Sequence, residues 1–278
     1  MKYTTCFASQ LGSLLLACSM LFVGCTENDT QRATSRLEKA QKYADNGQLN
    51  NARREIDSIH ILYPKAVEVR RQAKHLSDSI AYVEAVRTYA YSDSVRNVLS
   101  GQADELLKKF RYEKNSTYED KGKYVHRLLQ TSGYNTSRCY LQCYVGDDRT
   151  TTLKSYYYGT KAIRHEEITL SSEGENISDN GSNHTFENEG WHEILSFDEE
   201  ASLRLLNFIS THKANRIRVQ LAGTSPYTYY LQDNEKTALD ETYHLGLLMH
   251  DIKQIEDAMR TADRTIGKWE NKVSDKNQ

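Results

Sequence analysis

Residues 245–273 read "LGLLMHDIKQIEDAMRTADRTIGKWENKV". Leu245, Leu248, Ile252, Ile255, Met259, Ala262, Ile266, Trp269 and Val273 recur at alternating steps of three and four, the period of a helix whose apolar seam faces another helix. A seam of that length needs a partner. The chain supplies one after Pro64, where Ala66, Val69, Ala73, Leu76, Ile80, Val83, Arg87 and Ala90 follow the same spacing before the pattern shifts toward Val95, Leu99, Leu106 and Phe110. An antiparallel pairing of the two would bring the chain ends together and leave the middle of the sequence as a head on a helical stalk. The rival is coiling between chains into a homo-oligomer, since Ala73 and Arg87 weaken the first seam.

Upstream of Pro64 the period is also helical, from Arg32 onward. Leu37, Ala40, Tyr43 and Ala44 form one stripe, and "DNGQ" at residues 45–48 carries a helix stop and turn. Leu49, Ala52, Ile56, Ile59 and Leu62 then form a second stripe. This hairpin resembles a single tetratricopeptide repeat, with Tyr43, Gly47, Leu49, Ala52 and Pro64 in register. It departs from the repeat at Arg36, where an aromatic is preferred, and at Ala40, where glycine is. About three repeats are needed for a stable stack with a concave groove, so the resemblance implies a mode of packing.

Between the helical ends, β-rich runs appear at residues 138–145, 152–158, 166–171, 191–197, 217–221 and 227–231, separated by turn chemistry such as "GDD", "SSEGEN" and "DNGSN". One helix interrupts them, opened by Ser196 or Asp198 as cap with Glu199 and Glu200 in its first turn. The fold class is therefore α+β: a helical hairpin, a long helix paired with the C-terminal helix as an antiparallel coiled coil, and a largely antiparallel β-rich head. The expected divisions are a leader at 1–24, helices at 25–110, the head at 111–235 and the C-terminal helix at 236–278.

The formal net charge of −2 gives no basic footprint for nucleic acid. After residue 25 the only cysteines are Cys139 and Cys143. On a strand they would lie about 13 Å apart at roughly 3.3 Å per residue, too far for a disulfide, so buried free thiols are expected. Alternation puts Cys139, Leu141, Cys143 and Val145 on the apolar face and Arg138, Tyr140, Gln142 and Tyr144 on the other. His165-Glu166-Glu167 and His192-Glu193 each look like the start of a zinc-protease helix, but Thr169 and Ser196 stand where the second histidine is needed. His244 and His250 are six apart, a poor spacing for one helix face. No nucleophile constellation or phosphate loop stands out, and the sequence implies no catalytic residue, no metal site and no cofactor.

The first residues carry the remaining signal. Lys2, the apolar run from Leu11 to Val23 and small Gly24 have the order of an export signal, and the run is short for a bilayer span of about 20 residues. Phe22-Val23-Gly24-Cys25 resembles a bacterial lipobox, which implies lipidation of Cys25. Leu15-Leu16-Ala17-Cys18 fits loosely as well, but processing there would leave Met20 to Val23 exposed, whereas Cys25 is followed at once by the polar "TENDT", read as a short leash to the first helix.

The order of lipobox, helical hairpin, "LYPKAVEVRRQA" (62–73), "KGKYVHRLLQ" (121–130), "SRCYLQCYV" (137–145) and heptad helix resembles a family of lipoproteins from Bacteroides and relatives. The family brings no catalytic residues to carry over. It implies the bacterial cell envelope, at the outer membrane, with the membrane as a partner through the lipid. Asp57-Ser58-Ile59, Asp78-Ser79-Ile80 and Asp93-Ser94-Val95 resemble the short O-glycosylation motif of those bacteria, implicating Ser58, Ser79 and Ser94. Tyr156, Tyr158, Tyr227, Tyr229 and Trp191 are candidates to face a ligand, although cross-strand tyrosines stabilise sheets without one. The expected function is a non-enzymatic envelope scaffold or interaction protein; the alternative is a ligand-binding, glycan-binding head. Its partner would be an envelope protein or glycan.

Overall fold

The computed structural model describes residues 21–114, 121–129, 138–187 and 192–275, with side chains from residue 28 onward except at 186 and 187. Helix α1 spans Leu21–Asp45 and α2 spans Leu49–Leu62. The stop between them is built as the sequence suggests. Gly47 takes φ +73°, a left-handed conformation that costs glycine little, and the amide of Gln48 returns to the Tyr43 carbonyl at 2.8 Å. Across the hairpin, Glu55 accepts from Arg36 at 2.7 Å and from Lys39 at 2.5 Å. Arg36, which departs from the repeat pattern, thus has a defined electrostatic use.

Helix α1 begins well before Arg32 and runs through Cys25, so residues 26–30 are helical and not an extended leash. The physical reason is plain: "TENDT" contains neither glycine nor proline to stop a helix, and the Thr34 hydroxyl bonds the Thr30 carbonyl at 2.9 Å along the same turn.

Helix α3 (Val67–Leu107) and helix α5 (Asp233–Ser274) run antiparallel and pack closely. The residues of the pairing differ from the heptad seam. Ala66, Val69, Ala73, Leu76 and Ile80 join Ala40, Ala52, Ile56 and Ile59 in the core under the hairpin. The side of α3 that carries His75, Asp78 and Tyr82 meets α5 instead: Trp269 stacks with Tyr82 at 6.0 Å and tilts against His75 at 5.1 Å, and Lys272 bonds Asp78 at 2.5 Å. The hairpin is a closer apolar partner, so it takes the apolar stripe. Further along α3, Leu99, Ala103 and Leu106 do meet Leu245 and Ile252. Two compact units result, one of residues 1–91 with 258–278, the other of residues 92–257.

The second unit holds two antiparallel sheets. The larger has the order β1-β2-β3-β4-β8-β7, from β1 (Phe110–Glu113), β2 (Lys123–His126), β3 (Tyr140–Gly146), β4 (Thr151–Tyr158), β7 (Asn183–Glu187) and β8 (His192–Ser196). The smaller has the order β10-β9-β5-β6, from β5 (Glu167–Ser172), β6 (Glu175–Asn180), β9 (Arg218–Ala222) and β10 (Tyr227–Tyr230). Helix α4 (Glu199–Thr211) is capped by Asp198, whose carboxylate accepts from the Ala201 amide at 2.8 Å. It packs on β4, β5 and β6, and Leu205, Leu206 and Ile209 join Leu141, Leu153, Ile168, Leu170 and Leu221 in one core. Each such leucine or isoleucine contributes roughly 2 kcal/mol by burial.

Four strands were not expected. Phe110 starts β1 in place of ending a helix, because it pairs with His126 and packs edge-on against that ring at 4.9 Å. The "SSEGEN" stretch is a hairpin whose central Glu173 and Gly174 both have positive φ, as a tight two-residue turn requires, so its flanks pair as β5 and β6. Strand β3 is also less amphipathic than its alternation implies. Tyr140 and Gln142 are buried along with Leu141 and Cys143, because Tyr140 stacks on Tyr156 at 4.6 Å and the Tyr156 hydroxyl donates to Gln142.

Candidate functional site

Cys25 lies within α1, and only its backbone is described. Trp191 lies outside the described residues. Ser58 sits inside α2 and Ser79 and Ser94 inside α3. The Ser58 hydroxyl bonds the Arg54 carbonyl at 2.8 Å.

The tyrosines do not form one platform. Tyr156 and Tyr158 share a face of β4, where Tyr156 stacks on its cross-strand partner Tyr140 and Tyr158 meets His192 edge-on at 4.7 Å. Tyr227 and Tyr229 belong to the other sheet. Tyr227 packs edge-on against Tyr157 at 5.5 Å, while the Tyr229 hydroxyl is buried and burial pushes its pKa well up. Tyr158 and Tyr227 keep 38% and 40% exposure. Cys139 and Cys143 are free buried thiols whose pKa burial raises. In the helical unit, a cleft of about 220 Å³ is lined by Asp78, Ala81, Thr265, Lys268, Trp269 and Lys272, with Asp78 neutralised by Lys74 and Lys272.

The most organised polar centre lies between the sheets and draws on both histidine-glutamate stretches that failed as linear motifs. Strand β8 places Glu193 and Leu195 on one face. Strand β4 pairs Tyr157 with Glu193, and β7 pairs Phe186 with Glu193 and His184 with Leu195. Period-two alternation therefore sets His184 diagonally beside Glu193 on the same face. The segment from Gly159 to Glu166 crosses that face and turns at Arg164, which has φ +51°. The turn aims three successive amides at one carboxylate, a backbone nest. Ile163 and Arg164 donate to Glu193 Oε1 at 2.6 and 2.8 Å, and His165 donates its amide to Oε2 at 2.9 Å. The ring of His165 adds Nδ1 on Oε2, also at 2.9 Å.

Opposite, Gly223 lets the segment come close. A Cβ there would stand 2.2 Å from the Ile163 carbonyl oxygen, which instead accepts from the Thr224 amide at 2.7 Å and hydroxyl at 3.0 Å.

His165 and Glu193 have no side-chain exposure, and His184, at 19%, brings Nε2 to 3.4 Å from Glu193 Oε2. Burial alone would raise the Glu193 pKa, but the Arg164 amide, the His165 ring and the neighbouring amides together hold it below the ordinary carboxylate value. Burial lowers the His165 pKa despite Glu193, which favours a neutral ring. A neutral ring at this distance donates through Nδ1 and leaves Nε2 without a proton. His165 Nε2 is buried and makes no hydrogen bond among the described residues, with the Ser155 backbone as the ring's next polar neighbour. One donor atom from each of His165, His184 and Glu193 falls within 4.8 Å of the others, a set able to hold a cation. The sequence implied no metal site because its three residues come from a loop, an unforeseen edge strand and β8. No spacing joins them; only the β7–β8 register would have found them.

Compared with protein-family models, curated proteins and solved structures, the chain has no match.

Proposed function

We propose that the chain is a lipoprotein of the bacterial cell envelope, fastened to the outer membrane through Cys25, that works as a non-enzymatic scaffold or interaction protein. The resemblance of Phe22 to Cys25 to a lipobox, and of the whole chain to Bacteroides-type lipoproteins, supports the location. No helix among the described residues is long and apolar enough to cross a membrane, so on this reading attachment falls to lipid. Each buried methylene contributes about 0.8 kcal/mol, and two or more chains hold a protein stably.

The observation that carries the interaction role is the corner around Pro64. Ile61 is 75% and Val67 72% exposed, with Leu62 between them. Large side chains grouped this openly mark contact surfaces more often than isolated ones do. The test is acyl labelling and membrane fractionation of the wild type and Cys25→Ser, with cross-linking in envelope membranes of the wild type and Ile61→Asp. Wild type is expected in the membrane fraction with an acyl label, and Cys25→Ser without either. A serine form that stayed acylated and membrane-bound would sink the anchor, and unchanged cross-links in Ile61→Asp would sink the contact surface.

The exposure of Tyr158 and Tyr227 favours a second reading, a glycan-binding head. It expects glycan-array signal that falls in Tyr158→Ala and Tyr227→Ala.

A further inference from the structure

We propose that His165, His184 and Glu193 bind one divalent transition-metal ion of the zinc class, through His165 Nδ1, His184 Nε2 and Glu193 Oε2. Two imidazole nitrogens and one carboxylate oxygen form a donor set that suits zinc and its neighbours, whereas magnesium and calcium prefer all-oxygen sites. Zinc bonds of about 2.0–2.2 Å in a tetrahedron put neighbouring donors about 3.4 Å apart. Glu193 Oε2 stands 2.9 Å from His165 Nδ1 and 3.4 Å from His184 Nε2, and the ligand atoms of the three residues lie within 4.8 Å of one another, so two of the three spacings already stand near the tetrahedral value.

The surroundings are those that a metal site requires. Ligating carboxylates and imidazoles are held by outer hydrogen bonds, and here Oε1 is fixed by the Ile163 and Arg164 amides. His165 is the more telling ligand. Its Nδ1 stands 2.9 Å from Glu193 Oε2, and its Nε2 is buried with no hydrogen bond among the described residues. With metal on Nδ1, a ring proton on Nε2 would face the Ser155 backbone as a donor. The ion ties β7, an edge strand, to β8 and to the segment Gly159–Glu166. Three ligands from the chain leave a fourth position to water or to a donor atom of a bound molecule.

The full-length, untagged protein is stripped with a chelator, and zinc and cobalt(II) are titrated in. One zinc per chain is expected to survive desalting, with tetrahedral cobalt absorption and a higher melting temperature when zinc is present. His184→Ala is expected to bind at least about tenfold more weakly, and His184→Cys, which restores a soft ligand, to recover binding. His184 is the residue to vary because it is partly exposed and, unlike the amides of 163–165, it lies on β7 and not in the segment that holds Glu193. The difference between wild type and His184→Ala separates this site from other histidines and thiols. Equal zinc affinity in the two proteins would overturn the proposal and leave a buried histidine–glutamate pair only. If His184→Ala fails to fold, the wild type decides: absence of a zinc-dependent melting shift and of tetrahedral cobalt bands also overturns it.

Discussion

In the helical unit, Ile56 and Ile59 on α2 meet Ala40 on α1 and Ala73 on α3, residues brought together by short turns and a 3.6-residue period. In the sheet unit, Glu193 on β8 meets His165 from the loop after β4 and His184 from β7, residues brought together only by strand register. The first kind of order is written locally and is apolar. The second is non-local, and it buries charge that must be fully bonded. The two units should therefore fail differently.

The largest effect is expected at Glu193. Glu193→Ala leaves two buried amides, one part-buried amide and the His165 ring without their acceptor, and removing one side of a buried ionic network costs about 3–5 kcal/mol. Denaturant titration should show that loss, and hydrogen exchange should place it in β4, β7 and β8 while α1 and α2 stay protected. Equal loss of protection in α1 and α2 would break the comparison.

An apolar truncation is the counterpart in the other unit. Ile56→Ala empties a site that is 2% exposed, and isoleucine-to-alanine changes in cores cost about 2–5 kcal/mol. The lower half of that range is expected, because α1 and α2 are joined by a short turn and can close on the gap. Fast exchange should appear first in α1 and α2.

These two cases also show what the sequence made legible. Stripes such as Ala52, Ile56 and Ile59 report their own burial, since helical neighbours in space are three or four apart in the chain. The Asp198 cap, the Gly47 stop and six strands were legible for the same local reason. Strands β6 and β7 were hidden because most of their residues are polar and read as turns. The pairing face of α3 was misassigned because one apolar stripe had two candidate partners, and only packing selects between them. The histidine–glutamate centre was invisible because its ligands share a sheet face and not a sequence period.

Gly223→Ala tests the non-local order more gently. The added methyl meets the Ile163 and Arg164 carbonyls, backbone that cannot rotate away, and overpacking of this kind costs about 1–3 kcal/mol. Stability should fall, and the zinc-dependent melting shift should fall with it because the amides of 163–165 lose their aim. A stable variant with an unchanged shift would show that the loop tolerates displacement and that the centre is less tightly built than its distances imply.

Local signals should have small, similar effects in both units. Asp198→Ala removes the α4 cap at about 1 kcal/mol, and Gly47→Ala forces a side chain into the left-handed turn at about the same cost. Equilibrium unfolding should place the two within a few tenths of each other.

The smallest effect concerns a turn and fades in acid. Asp148, in the β3–β4 turn, accepts from the Thr150 hydroxyl at 2.5 Å and from Lys121 at 2.9 Å. The Thr150 hydroxyl first and Lys121 second bring its pKa down to about 2 from 3.8. A carboxylate with a lowered folded pKa stabilises the fold above its unfolded value, and that contribution disappears as pH falls through the folded one. The side chain is 38% exposed, so solvent screening keeps the gain below about 1 kcal/mol. Asp148→Asn should therefore be slightly less stable than wild type at pH 7, with the gap narrowing between about pH 4 and pH 2. A gap independent of pH would mean that the turn is held by Thr150 geometry, which asparagine reproduces poorly, and not by charge. Either result separates a local turn from the buried Glu193 centre, whose loss should not depend on so small a difference.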